Sequence, residues 1–181
     1  YRADEIHLAE EIILQGIEKN PDDVKLYLAL SAFYQRQKKY QNAIDIIKKV
    51  IAKQPDNSRY ILLLADLYWK SDQKNKIRYV LRQMIEKNQH DEENWLIVSR
   101  FYLMHKDLKQ AEEILIEGIE KNPKNYHMRL LLGQIYVDQH RFTEAIDVLE
   151  QCLLVDKDPG KPEIIQAKVA LSKIQLRKHN L

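Results

Sequence analysis

Cysteine, glycine and proline are scarce in this sequence, and each shortage excludes a class of structure. Four glycines and five prolines in 181 residues are too few for a chain built of tight turns, short strands or flexible linkers. They also cannot supply a glycine-rich phosphate loop. Cys152 is the only cysteine, so no disulfide can form within the chain, and the compartment stays open between the cytoplasm and a bacterial periplasm. Leu, Ile, Lys, Glu and Gln dominate instead, which favours a nearly all-helical chain.

Long apolar runs and blocks of one charge are also absent. No apolar stretch approaches the roughly 18 residues of a membrane-spanning helix, so we do not expect the chain itself to span a membrane. The 29 basic and 27 acidic side chains alternate along the sequence and leave a formal charge of +2. Nucleic-acid binders usually concentrate positive charge on one face. The charge pattern therefore argues against a nucleic-acid partner.

What the sequence does contain is an internal period of 34 residues. Ala9–Pro21 and Ala111–Pro123 have the same residue at ten of thirteen positions and lie 102 residues apart, which is three times 34. A fixed period of this length indicates a repeat array. Two columns that repeat at this interval are Tyr34, Tyr68, Tyr102 and Tyr136, and Leu28, Leu62, Leu96 and Leu130.

The period divides the chain into helical units. Small residues recur where two helices must approach closely, at Ser31, Ala65, Ser99 and Gly133. The predicted units are the second half of a repeat at residues 1–21, full repeats at 24–57, 58–91, 92–125 and 126–157, and a capping helix at 162–179.

The two ends of the sequence carry separate expectations. Tyr1 falls inside a helix of the repeat register, which predicts that the sequence is a fragment of a larger protein. At the other end, Ile164, Ala167, Leu171 and Ile174 form one apolar stripe, and Lys and Gln occupy much of the remaining surface. We therefore expect a last helix whose polar outer side caps the array.

These columns resemble the motif of the tetratricopeptide repeat (TPR) family, which runs as a bulky aromatic residue, a Leu–Gly pair, Tyr, Ala, a large apolar residue, Ala and Pro. The resemblance covers roughly residues 3–157, with departures at Arg129 and Lys157. It implies an all-α, right-handed superhelical solenoid of antiparallel helix pairs with a concave groove. In the first full repeat the matching residues are Tyr27, Leu30, Ser31, Tyr34, Ala43, Ile47, Val50 and Pro55.

A second stripe on the first helix of each repeat contains the candidate binding residues. Its members are spaced i, i+4 and i+7 and lie rotated away from the tyrosine face. The resemblance implies that this stripe lines the concave groove, whereas the alternative is that its leucines pack between neighbouring first helices. Both readings stay open for the leucines, and the groove is favoured for Trp69 and Arg100. The predicted groove residues are Leu28, Leu62, Asp66, Trp69, Leu96, Arg100, Leu103, Leu130 and Gln134.

The sequence shows no arrangement of residues that indicates catalysis or metal binding. None of the six histidines lies four residues from another or has a Cys partner at metal-ligand spacing. Cys152 shares a column with Val50, Met84 and Gly118, so we interpret it as a small buried apolar residue. We therefore expect no catalytic residues, no metal and no cofactor, and the chain is not predicted to be an enzyme.

The leading functional hypothesis is a non-catalytic module that binds a peptide or helical protein segment in the groove. The cationic clamp with which TPR co-chaperones hold an acidic chaperone tail is missing, because the matching places hold Leu28, Ala32, Leu63, Glu93 and Ile97.

Two alternatives remain. The first is a scaffolding arm of a larger assembly, such as bacterial envelope secretion or polysaccharide-export machinery, or an arm attached to an enzyme. The second is RNA binding of the pentatricopeptide type, which the 34-residue period and the leucines of the stripe disfavour.

Overall fold

The computed structural model describes residues 2–155 and 160–179, and within these ranges the chain forms ten α-helices and no strand. Residues 156–159, which include the predicted end of the fourth full repeat, lie outside the described residues. We call α2, α4, α6 and α8 the first helices and α3, α5, α7 and α9 the second helices. The helices are α1 (Arg2–Lys19), α2 (Val24–Arg36), α3 (Tyr40–Lys53), α4 (Ser58–Lys70), α5 (Lys74–Glu86), α6 (Glu92–Met104), α7 (Leu108–Lys121), α8 (Tyr126–Asp138), α9 (Phe142–Val155) and α10 (Pro162–His179).

Each first helix begins after an Asp or Asn that caps it. The side chains of Asp23, Asn57, Asp91 and Asn125 all accept a hydrogen bond from a backbone N–H in the first turn of the helix that follows. Such caps satisfy N–H groups that have no partner within the helix. Because the four residues are spaced by 34, the cap is part of the repeat, and it explains why the first helices begin where the period predicts.

The turn from each first helix to its second helix uses a residue with positive φ that is not glycine. Lys38, Asp72, Lys106 and His140 have φ angles of 59°, 56°, 59° and 59°. The following N–H then donates to the tyrosine carbonyl of the preceding helix, as in the 2.9 Å bond from Lys39 to Tyr34. This left-handed residue reverses the chain within a few residues and satisfies carbonyls at the helix end.

The molecule divides into two compact units, residues 1–84 and residues 85–181. In the first unit α1 packs on α2, α2 on α3 and α3 on α4. The small side chain of Ser31 is fully buried between α2 and α3, where its Oγ donates to the carbonyl of Ala43 at 3.3 Å. The hydroxyl of Tyr34 donates to Glu10 at 2.6 Å and joins α2 to α1. The prediction that small residues allow close helix contact is confirmed at this position.

The second unit contains α6 to α10, packed in sequence order. Trp95 is fully buried, and a Cβ added to Gly118 would lie 3.1 Å from its ring. A Cβ added to Gly133 would likewise lie 2.8 Å from the side chain of Leu149. Large side chains therefore fill the space that these glycines leave, which is how the core of this unit reaches close packing.

The last helix covers the end of this unit but has a mixed outer surface. Ile164, Ala167 and Ile174 are buried, as the predicted apolar stripe requires. Three further apolar side chains, Ile165, Val169 and Leu176, are 49%, 47% and 66% exposed. The expectation of a polar outer side is therefore correct only in part. A count of Lys and Gln in the sequence did not show that the apolar residues between them recur at helical spacing.

Candidate functional site

In the first unit, the predicted groove residues lie on α2 and α4. Ser31 is buried against α3, whereas the next residue, Ala32, is exposed. Leu28, Leu62 and Trp69 are all half-buried. Each side chain thus keeps part of its surface in solvent while the rest packs against the protein. Half-burial fits both readings of the leucines, which pack between helices and still contribute to a surface.

A polar cluster lies beside these apolar side chains. The Nζ of Lys70 lies 2.6 Å from a carboxylate oxygen of Asp66, one helical turn away on α4. The same amine donates at 3.3 Å to the side-chain oxygen of Gln35 on α2. Lys70 thus links two first helices and holds the Asp66 carboxylate in position. Asp66 and Lys70 are spaced i, i+4, so the sequence carried a signal for this pair that the stripe did not include.

In the second unit, the predicted groove residues lie on α6 and α8 and differ widely in exposure. Leu103 and Leu130 are half-buried, and Arg100 and Gln134 are exposed. Leu96 is only 6% exposed, so its side chain belongs to the packed interior and adds almost nothing to the surface. At this one position the alternative reading, packing between helices, describes the residue better.

Met104 and Asp138 lie next to the stripe of the second unit and were not among the predicted groove residues. Met104 at the end of α6 is 76% exposed, which is high for a large apolar side chain. It lies one turn beyond Arg100, so helical spacing from Arg100 was the signal that pointed to it. On α8, the amide of Gln134 donates at 2.7 Å to Asp138. Arg100, Leu103 and Met104 form one mixed apolar and basic surface on α6, and α8 adds Gln134 and Asp138.

One family model matches the sequence over residues 15–161, that of ChAPs, the Chs5p-Arf1p-binding proteins. The chain belongs to the ChAPs family. No curated protein matches its sequence.

Solved structures show the fold of this ChAPs chain independently. MamA is 20% identical, with 86% of this chain and 82% of that chain covered and a TM-score of 0.52. YrrB, a TPR protein with an unusual peptide-binding site, is 17% identical, with 93% and 86% covered and a TM-score of 0.50. At such identities the likeness establishes the fold alone. The ChAPs chain is an all-α TPR array of antiparallel helix pairs, as the 34-residue motif predicted.

Among the residues that the structure describes, no group of three or more His, Cys, Asp or Glu side chains could hold a metal ion. In the same ranges, none of the helices has both the length and the apolar character of a membrane span. Cys152 is fully buried, as predicted, and burial raises the pKa of its thiol to about 11.

Proposed function

We propose that this ChAPs chain is a non-catalytic module that binds a protein segment along the stripe of its first helices. The observation that carries the proposal is the partial exposure of Leu28, Leu62 and Trp69 beside an oriented carboxylate, Asp66, in one unit. Exposed apolar surface with a polar margin is typical of protein-binding sites. The stripe of the second unit offers Arg100, Leu103, Met104, Leu130 and Gln134 in the same role.

The chemistry of the stripe defines the partner. A side chain that a partner fully buries contributes about 1.5–3 kcal/mol before ordering costs, so micromolar binding, which corresponds to about 8 kcal/mol, requires several anchors together. In the first unit, the carboxylate of Asp66 would favour a basic side chain in a segment bound there, and in the second unit Arg100 would favour an acidic one. An amphipathic helix or an extended peptide with regularly spaced apolar residues fits this arrangement.

The family name gives separate support. ChAPs are named for binding Chs5p and Arf1p, which are protein partners. Carried to this chain, the name favours recognition of a protein over recognition of a small molecule. The test therefore starts from a ligand selected on this chain.

Trp69→Ala tests the proposal. Peptides would first be selected from a random display library on the wild-type chain, and their dissociation constants would then be measured for both proteins. We expect a loss of about 2 kcal/mol, roughly 30-fold, because aromatic anchors dominate binding energies. Tyr79→Ala is the matched control, since Tyr79 is an aromatic residue of the same unit, 63% exposed, on a second helix. Equal affinities for wild type and Trp69→Ala would refute the role of the stripe.

A scaffolding arm remains a second candidate because of the surface of α1. Leu8 and Ile12 are 57% and 59% exposed. Ile114 occupies the same place as Ile12 in the repeated sequence and is only 8% exposed. We propose that in a larger protein this face of α1 is covered by another helical element. Ile12→Gln should then leave the melting temperature of this chain unchanged and lower that of the larger protein. Equal melting temperatures for the larger protein with and without the substitution would exclude the arm.

A further inference from the structure

A groove runs between the second helices α7 and α9 of the second unit, away from the stripe described above. Its volume is about 330 Å³, and it is open to solvent. The apolar part of its lining comes from three helices. Leu132 and Tyr136 of α8 form the floor, Ile119 of α7 lies on one side, and Val148 of α9 lies on the other. Ile116 on α7 adds an apolar side chain that is 40% exposed. An apolar side chain of a partner could therefore enter this groove and lose contact with water.

The rim of the groove carries carboxylates on both sides. Glu120 lies on the α7 side, and Glu144 and Asp147 lie on the α9 side, all three exposed. Gln151 is the remaining polar residue of the lining. A positive side chain beside the apolar anchor would meet negative charge on either wall, which speeds encounter and rejects acidic segments.

Arg141 organises the acidic surface next to the groove. Its guanidinium lies 4.2 Å from the ring centre of Tyr136 and donates to Glu112 at 2.7 Å and to Glu144 at 3.0 Å. The hydrogen bond from Arg141 is the main cause that lowers the pKa of Glu144. Glu144 is thus already paired, and Glu120 and Asp147 are the carboxylates that remain to meet a partner.

The residues that line the groove have counterparts 102 positions earlier in the sequence, in the first unit, and some of these counterparts differ in charge. Leu14, Ile17, Leu30, Tyr34 and Ile46 occupy the places of the apolar lining. At the places of the polar lining, Glu18 and Asp45 retain their acidic character. Asn42 replaces Glu144 and Lys49 replaces Gln151. The apolar pattern and two carboxylates are therefore shared, and the first unit differs by one acidic residue fewer and one basic residue more on its rim.

We propose that the groove between α7 and α9 is a second docking surface, which binds a helical protein segment that combines a bulky apolar side chain with lysines or arginines. The apolar side chain occupies the space between Ile116, Tyr136 and Val148. The basic side chains pair with Glu120 and Asp147. This surface acts independently of the first-helix stripe, because it lies on the second helices.

The test uses two synthetic helical peptides, one of leucine and lysine and one of leucine and glutamate, each with a fluorescent label. Fluorescence anisotropy on the complete chain should show binding of the lysine peptide and none of the glutamate peptide. The double variant Glu120→Lys/Asp147→Lys should weaken the lysine peptide by about tenfold or more, as charge reversal does at complementary interfaces. The matched double variant Glu18→Lys/Asp45→Lys in the first unit should change its affinity less than about twofold.

Two further variants test which surface binds the lysine peptide. Ile116→Ser should weaken binding of the lysine peptide without a change of charge, and Tyr79→Ala, an exposed aromatic residue outside both proposed surfaces, should leave its affinity unchanged. Thermal melting of every variant checks that it is folded, as expected for changes at exposed positions. If the two double variants lose affinity for the lysine peptide equally, the peptide is attracted to acidic surface in general, and the proposal is overturned. Concentration-dependent dimerisation of the wild type that Asp147→Lys abolishes would assign the groove to a second copy and also overturn it.

Discussion

At the scale of single residues, one position of the repeat holds different side chains in different units, and the properties of each depend on the residues packed around it. Val50, Met84 and Cys152 occupy equivalent places on second helices and are all buried. Burial alone therefore explains the cysteine, which was predictable from its column. The pKa of its thiol was not predictable, because it depends on how completely the surrounding helices exclude water.

Cys152 should react very slowly in the native protein. Burial raises the pKa of its thiol from 9.0 to about 11, so at neutral pH the reactive thiolate is roughly 100-fold rarer than in the unfolded chain. The rate of reaction with an aromatic disulfide reagent, measured with and without denaturant at the same pH, checks this. Similar rates under the two conditions would mean that the thiol is accessible in the folded state.

Tyr34 should make the first unit sensitive to alkali. The bond that its hydroxyl donates to Glu10 is the main cause that raises its pKa from 10.0 to about 12. The folded pKa is the higher one, so this contribution is complete below pH 10 and is lost as the pH rises through about 12. Phenolate absorbance during alkaline titration should show one tyrosine whose pKa falls in Glu10→Gln. A titration identical in both proteins would contradict the assignment.

At the scale of helices and turns, the period predicted the bounds of the first helices closely, and the local chemistry of their ends was missed. The caps Asp23, Asn57, Asp91 and Asn125 are visible in the sequence, since Asp and Asn are favoured at helix starts. The left-handed turn residues were not predictable. Lys38, Asp72, Lys106 and His140 belong to three different residue types, and none is the glycine that such a position favours.

Lys106→Gly should stabilise the protein. Placing a residue with a side chain in the left-handed region destabilises the folded state by about 1–2 kcal/mol. Glycine avoids this strain but destabilises the folded state by about 0.5–1 kcal/mol, because it loses more conformational entropy on folding. The strain is the larger effect, so the free energy of unfolding should rise by about 0.5–1 kcal/mol. Urea denaturation measures it, with Lys106→Ala as a control that keeps the strained backbone. A loss of stability in the glycine variant would show that the Lys106 side chain makes a compensating contact.

At the scale of the whole molecule, the helical spacing assigned the candidate residues to a face of each first helix but did not give the depth of each residue. Leu28, Leu62 and Leu96 occupy one column, yet the first two are half-buried and Leu96 is buried. Spacing within one helix assigns a direction, whereas depth depends on the side chains that neighbouring helices bring. For the same reason Met104, the most exposed large apolar residue of α6, was overlooked.

The most direct measurement of the binding role is a methyl NMR titration of the chain with a selected peptide, using isotope-labelled leucine. The proposal predicts that the methyl signals of Leu28 and Leu62 in the first unit, or those of Leu103 and Leu130 in the second, shift as the peptide is added. Leu154, on the second helix α9 and 78% exposed, is the control and should not shift. Shifts at Leu154 with unchanged signals for the leucines of the first helices would show that the peptide binds elsewhere, and the central claim would be wrong.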